Sequence, residues 1–363
     1  MTDSISDAWY SYAGPENDVV LSTRVRLARN LANFPFPSRF KGDDALRVQS
    51  LVFDSFAQGE RPDSYQAVAA KDLDELGSKI LAERGILDED AKNLPGAGVV
   101  MRTDGKIACT VNERDHVRIC AFVPGLGGAA AYDMCREMDS ELQKKLQFAA
   151  SYDFGFLTSS FADSGSGMKV SVRLHLPSLS FSGQLSEYSS QLQEKGLEIA
   201  ASFGSGMGKA TSLGAYYQVF TRTSAAGSEF DQMAAIVSAV KYLAECERRE
   251  RNAVIKNRPT EVTNLVLRAM ASGLYSTLMP MREAVDIIGK IKWGIATGAL
   301  HGMEDNELCA LLYRVQDGHL QFVLNNGNYQ FSEDIAGSEN LKRERLRALT
   351  LYEALEHIKI NTD

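Results

Sequence analysis

The sequence predicts an α+β fold in which strands and helices mix over the first two-thirds and a smaller, mainly helical part follows. Short runs of alternating apolar and polar residues, the mark of half-buried strands, cluster before the long helix near residue 228. Two of them flank Asp104-Gly105, a strong hairpin turn signal. Past that helix the apolar residues follow mostly helical spacing.

Taken in order, residues 19–27 (VVLSTRVRL) put Arg24 and Arg26 on one face of a strand, with Val25 and Leu27 on the other. Residues 99–103 and 107–111 form the arms of the Asp104-Gly105 hairpin. Residues 116–122 put His116 and Arg118 opposite Val117 and Ile119. Residues 168–176 (MKVSVRLHL) alternate most strictly: Val170, Val172, Leu174 and Leu176 face one way, and Lys169, Ser171, Arg173 and His175 the other. A long helix starts at Ser228, where S-E-F-D resembles a capping box, and carries Ile236, Val240 and Leu243 on one face. It ends in ECERRERNAVIKNRP. Pro259 marks a boundary, giving expected domains at 1–252 and 258–363. The second domain is expected to hold helices at 281–291 and 341–358. It is also expected to hold a short hairpin at 320–329 with Asn326-Gly327 as its turn. Trp293 with Ile287, Ile288, Ile291 and Ile295 is expected in the core or on a dimer surface.

The chain has 363 residues, 44% apolar and 24% charged, with a formal net charge of −8. There is enough apolar surface to fold, and the acidic balance disfavours a general nucleic-acid binder. The N-terminus, MTDSISDAWY, has no basic and apolar signal pattern, and no run approaches the ~20 apolar residues of a membrane span. Five cysteines without close pairs argue against a disulfide framework or a zinc ribbon. The expectation is a cytoplasmic protein that engages neither membrane nor nucleic acid.

Three expected strands each carry cations on one face: Arg24 and Arg26, then His116 and Arg118, then Lys169, Arg173 and His175. In an acidic chain this pattern fits either a shared polyphosphate site, for which arginine is well suited, or simply solvated sheet faces. No Walker loop, dinucleotide fingerprint or protein-kinase catalytic loop is present. The glycine-rich run GSGMGKA at 204–210 fits either a phosphate contact or a flexible loop.

LSTRVRLARN (21–30), VNERDHVRI (111–119) and FLTSSFADSGSGMKVSVRLHLP (156–177) resemble the motifs of the ATP:guanidino phosphotransferases. Those motifs are S-[ST]-R-[VI]-R, N-E-E-D-H-x-R and L-T-x-C-P-x-N-x-G-T-G-x-R-x-S-V. The chain is most similar to the bacterial protein arginine kinases within that family. The resemblance implies an antiparallel sheet flanked by helices and ATP or ADP, with Mg²⁺, held by arginines. The nucleotide-binding positions fall on Ser22, Thr23, Arg24, Val25, Arg26, Arg118 and Lys169, with Ser171 and Arg173 on the same strand. Lys169 keeps the charge of an arginine but not its fork. The fifth arginine aligns with Phe203.

The departures concern the chemistry. The family's principal acid, the second Glu of N-E-E-D-H, aligns with Arg114, and a second acid aligns with Gly208. The reactive cysteine aligns with Ser160, a poor substitute for a thiolate. The Asn and Thr that follow are Asp163 and Ser166. Glu113 and Asp163 remain as carboxylates that a transfer could recruit. In the C-terminal part, LKRERLRA aligns with the R-D-x-x-R-A motif by which protein arginine kinases bind phosphoarginine, giving Arg343, Glu344 and Arg347. The spacing of Arg343 and Arg347 lets them meet on one helix face, and a solvated basic helix end is the alternative. By resemblance a homodimer is expected, with arginine-containing or arginine-phosphorylated proteins as partners; no metal-ligand set is evident. Three readings follow: a catalytically impaired regulator or phosphoarginine sensor, an active kinase for protein arginine, or an interaction module without nucleotide.

Overall fold

A computed structural model of the chain describes residues 8–203, 212–225 and 227–361. Strands β1 (Val20–Arg29), β2 (Tyr65–Ala69), β3 (Gly98–Arg102), β4 (Ile107–Val111) and β5 (Val117–Pro124) precede a small hairpin, β6 (Ala150–Ser151) and β7 (Gly155–Phe156). Then come β8 (Met168–His175), β9 (Leu197–Ala201) and β10 (Tyr216–Thr221). Eight of these form one sheet in the order β2-β3-β4-β5-β1-β8-β10-β9, and every neighbouring pair is antiparallel. The expected strands stand within a few residues, but the one expected to start at His116 starts at Val117.

The alternation in β1 and β8 divides this sheet into two chemically different faces. Val25, Leu27, Val170, Val172 and Leu174 are at most 1% exposed. They pack under helices α1 (Asp44–Ala57), α3 (Gly128–Gln143) and α6 (Glu229–Asn257) through residues such as Val52, Cys135, Met138, Ile236 and Val240. Each such side chain contributes about 1.5–3 kcal/mol on burial. The capping box is formed: Ser228 Oγ accepts from Asp231 N, and the Asp231 carboxylate accepts from Ser228 N at 2.9 Å. The opposite face carries the cations. Shorter helices α2 (Glu75–Glu83), α4 (Pro177–Phe181) and α5 (Leu185–Glu194) fill the connections.

Pro259 is the first residue of α7 (Pro259–Tyr275), which follows directly on α6. Then come α8 (Met281–Ala296), α9 (Asp305–Arg314), α10 (Asp317–Asn326), α11 (Glu333–Ala336) and α12 (Glu339–Leu355). They build a second core around Val266, Ile288, Ile291, Leu311 and Leu351, which Leu21 and Tyr216 join from the first part. Trp293 is core: it is 3% exposed, and its Nε1 donates to Ser178 Oγ at 3.0 Å. Helix α8 approaches the turn before β10 so closely that a Cβ on Gly289 would stand 2.3 Å from Gly214 O. The hairpin expected at 320–329 is instead α10, followed by an irregular segment. Asn326-Gly327 ends a helix here, with Gly327 N donating to Val323 O at 2.9 Å. Glycine after a helix is as common as glycine in a turn, so the dipeptide alone did not choose. No described helix is long and apolar enough to cross a membrane.

A buried ion pair and a buried carboxyl brace the first core. Arg29, 1% exposed, makes a bidentate pair with Asp139 of α3, both bonds at 3.0 Å. Glu247 of α6 is fully enclosed and accepts from Ser178 N and Leu179 N, at 2.9 and 3.0 Å, at the start of α4. Burial pushes its carboxyl up to about 7, against the opposing effect of these bonds and of Arg251.

Asp139→Ala is expected to cost about 3–5 kcal/mol by stranding the guanidinium, whereas the double change Arg29→Met with Asp139→Leu recovers most of it; denaturant titration checks both. Since the folded pKa of Glu247 lies above its unfolded value, its contribution is full below about pH 4.5 and is lost as pH rises through about 7. Glu247→Gln is therefore expected to reduce the loss of stability between about pH 5 and about pH 8, read as urea midpoints.

Candidate functional site

Strand register assembles the cations across β5, β1 and β8. Arg26 stands opposite Cys120 and Lys169, Arg24 opposite Phe122 and Ser171, and Ser22 opposite Arg173, while Ala28 faces Arg118. With a period of two, Arg118, Arg26, Arg24, Lys169 and Arg173 share one face. The sequence pattern placed them on single strands, and the register unites them.

Their partners differ. Arg118 Nη1 donates to Glu113 Oε2 at 3.0 Å, and Lys169 Nζ pairs with Asp163 Oδ1 at 2.5 Å. Arg24 Nε donates to Ser171 Oγ at 3.3 Å, and its Nη1 reaches Gly85 O at 3.5 Å. Arg173 donates to Tyr313 Oη at 3.2 Å and lies 5.2 Å from the Phe203 ring centroid. Among the described residues neither Arg24, Arg26 nor Arg173 forms a salt bridge with a carboxylate. Burial, with Arg173 and Arg118 nearby, lowers the pKa of Arg24. Burial and Arg118 lower Arg26 to about 10. A face that depresses its own guanidiniums is complementary to a multiply charged anion.

Several expected members are elsewhere. Thr23 Oγ1 donates to Gly125 O at 2.7 Å and Val25 is wholly buried, so both side chains point to the helical side. His116 is sealed inside: its Nδ1 accepts from Leu31 N at 2.9 Å, its Nε2 lies 3.0 Å from Pro35 O, and burial lowers its pKa. His175 lies under the C-terminal helices against the Tyr216 ring, its pKa well below the usual value through burial and then Lys292 and Arg251. Neither histidine joins the cation face. Gly208 and the run 204–210 lie outside the described residues.

Next to the cations is a cavity of about 430 Å³ lined by both altered segments, including Glu113, Arg114, Asp115, Ser159, Ser160 and Asp163. Arg114 is exposed there and has no hydrogen-bond or ion-pair partner among the described residues. The acids are engaged. Glu113 accepts from Thr110 Oγ1 at 2.5 Å, Asp88 N at 3.1 Å and Arg118. Asp115 Oδ1 accepts from Asn30 Nδ2 and Ser159 N, both at 2.7 Å. Asp163, 7% exposed, faces Lys169. Sequence reasoning missed Asn30, though it ends the LSTRVRLARN segment. It also missed Gly85 and Tyr313, for which no local signal exists. Among the described residues no cluster of three metal-ligating side chains occurs.

Arg343 and Arg347 do converge, but on Asp317. Arg347 is 1% exposed, donates to Val315 O at 2.7 Å and Met279 O at 2.8 Å, and pairs with the Asp317 carboxylate. Arg343 Nε lies 4.0 Å from the same carboxylate, and its Nη1 donates to Gln321 Oε1 at 2.8 Å. Glu344 Oε1 accepts from Asn340 at 3.0 Å. Burial opposes ionisation of Asp317, but Arg347, Lys79 and Arg343 outweigh it and hold its carboxyl below the usual range.

The model of the ATP:guanido phosphotransferase C-terminal catalytic domain matches residues 47–250. A protein-arginine kinase of Halothermothrix orenii is 29% identical over 336 residues, covering 92% of this chain and 95% of that protein. Another from Desulforamulus reducens is 29% identical over 346 residues, covering 94% and 96%. Among solved structures, the substrate-free duplicated taurocyamine kinase of Schistosoma mansoni superposes with a TM-score of 0.58 at 19% identity, over 76% of this chain and 41% of that one. Lombricine kinase gives 0.55 at 15% identity, over 68% and 72%. These structural likenesses establish the antiparallel sheet with flanking helices.

Arg26→Met is expected to raise the stability of the ligand-free protein by about 1 kcal/mol, by relieving burial and like-charge repulsion. It should at the same time diminish the rise in melting temperature that inorganic tripolyphosphate gives the unaltered protein, as thermal scans with and without the anion would show.

Proposed function

The chain belongs to the ATP:guanido phosphotransferase family, and from that footing we propose that it is a nucleotide-binding, transfer-impaired relative of the protein-arginine kinases that acts as a regulator. The carrying observation is Arg114, exposed in the lining of a cavity beside a cation face suited to a polyanion and without a partner among the described residues. On this reading Arg24, Arg26, Arg118, Lys169 and Arg173 hold the phosphates of ATP or ADP. Mg²⁺ would arrive on those phosphates, since no three-ligand cluster occurs among the described residues. Phe203 packs on Arg173 where the family has another arginine.

Transfer to a guanidinium asks for carboxylates that neutralise the acceptor and help remove a proton from a group with pKa above about 12. Arg114 opposes such an acceptor. Glu113 is spent on Arg118, Thr110 and Asp88, and Ser160 offers no thiolate. One missing acid–base group costs roughly 10²–10⁴ in rate. A second reading, an active arginine kinase, draws on Asp163, a carboxylate lining the same cavity. A third, an interaction module without nucleotide, draws on Phe203.

Phosphoarginine sensing through Arg343, Glu344 and Arg347 would require the phosphate to compete with Asp317, and it stands as a subsidiary proposal. The division at 252–258, a homodimer through the C-terminal helices, arginine-bearing protein partners and a cytoplasmic location belong to the same proposal. A second core built mostly from residues past 258, although Leu21 and Tyr216 join it, supports the division.

Calorimetry with Mg-ADP beside a labelled-ATP assay on an arginine-rich protein tests this reading. Micromolar ADP binding, weakened at least about tenfold by Arg24→Ala, with no acid-labile phosphoarginine, is expected. Robust phosphoarginine formation abolished by Arg24→Ala would overturn the impairment. Absence of ADP binding would favour the third reading.

A further inference from the structure

We infer that the cavity beside the cation face has reversed its charge preference and takes an anionic side chain, of which a carboxylate is the minimal form, in place of a guanidinium. The inference rests on the proposed function in one respect, that Arg114 faces whatever occupies the cavity.

The cavity's hydrogen-bonding capacity is the reason. Each of its carboxylates already has partners inside the protein. Both oxygens of Glu113 accept, from Asp88 N on one and from Thr110 and Arg118 on the other. Asp115 accepts two bonds on Oδ1, and Asp163 is neutralised by Lys169. A guanidinium, with five donors and no acceptor, would find only Oδ2 of Asp115 and Oδ2 of Asp163 unengaged among the described carboxylates of the lining.

The donors are not consumed. The Arg114 guanidinium has no partner among the described residues, and none of the hydroxyls of Ser38, Ser159 and Ser160, which also line the cavity, forms a hydrogen bond there. Arginine offers a fork that matches a carboxylate with two parallel bonds. Asp115 in the lining is held by the neutral donors Asn30 and Ser159 N, while Arg24 and Arg26 on the adjoining cation face have no carboxylate partner among the described residues and add to the positive field. Pro37, Phe40, Leu94 and Pro95 provide apolar walls for an aliphatic stem. A glutamate-like group fits this arrangement: an apolar stem against the prolines and Phe40, and a carboxylate on Arg114 and the serine hydroxyls.

Acetyl-glutamate N-methylamide and acetyl-arginine N-methylamide, titrated into the full chain by calorimetry with Mg-ADP present, provide the test. The acidic compound is expected to bind at least about tenfold more tightly, and Arg114→Glu to invert the order. Tighter binding of the arginine compound by the unaltered protein would overturn the inference, as would the absence of measurable heat from the acidic one at millimolar concentration. Binding of the acidic compound that Arg114→Glu leaves unchanged would place it away from Arg114 and likewise overturn the inference. These readouts are binding heats, so a failure here is separable from the detection of phosphoarginine, which decides the proposed function.

Discussion

Mutual repulsion among guanidiniums fixed on one side of a sheet is the constraint around which this molecule is arranged. Backbone register, not attraction between side chains, brings Arg118, Arg26, Arg24, Lys169 and Arg173 together. Burial first, and then the neighbouring guanidiniums, lower the pKa values of Arg24 and Arg26. It is offset on the reverse side, where the apolar residues of the same strands are sealed under α1, α3 and α6. One alternating sequence thus supplies both the strain and the core that tolerates it.

The carboxylates follow from the same constraint. Glu113 and Asp163 each neutralise one cation, and Asp115 ties Asn30 to the Ser159 backbone. Acids that serve as internal counter-ions hold a site in shape but have less to offer an incoming positive group. Arg114, the one charge in the 112–116 turn without an internal task, gives the cavity its character.

Much of this was legible in the sequence. Strict alternation in MKVSVRLHL located β8, Asp104-Gly105 located its hairpin, and S-E-F-D located the cap of α6. What failed shares a cause: the outcome depended on distant neighbours. Asn326-Gly327 serves a turn or a helix end equally, and packing of Leu320 in α10 chose the helix. His116 and His175 have the right parity for the cation face, yet other segments close over both. Arg343 and Arg347 have the right spacing, yet Asp317 from a preceding helix already lies between them. The stacking of Phe203 on Arg173 and the bond from Arg173 to Tyr313 join residues far apart in the chain, which no local pattern encodes.

The contact between Gly214 and Gly289 sets the tolerance of the seam between the sheet and the helices that follow it. Its width is less than one methyl group, since an added carbon at 289 would collide with backbone, which cannot swing aside as a side chain would. Beneath that seam lies the imidazole of His175, dry and uncharged, with Lys292 and Arg251 close by. A single extra carbon at 289 would have to push the backbone of α8 away from the turn at Gly214, so at this point of the junction only hydrogen fits.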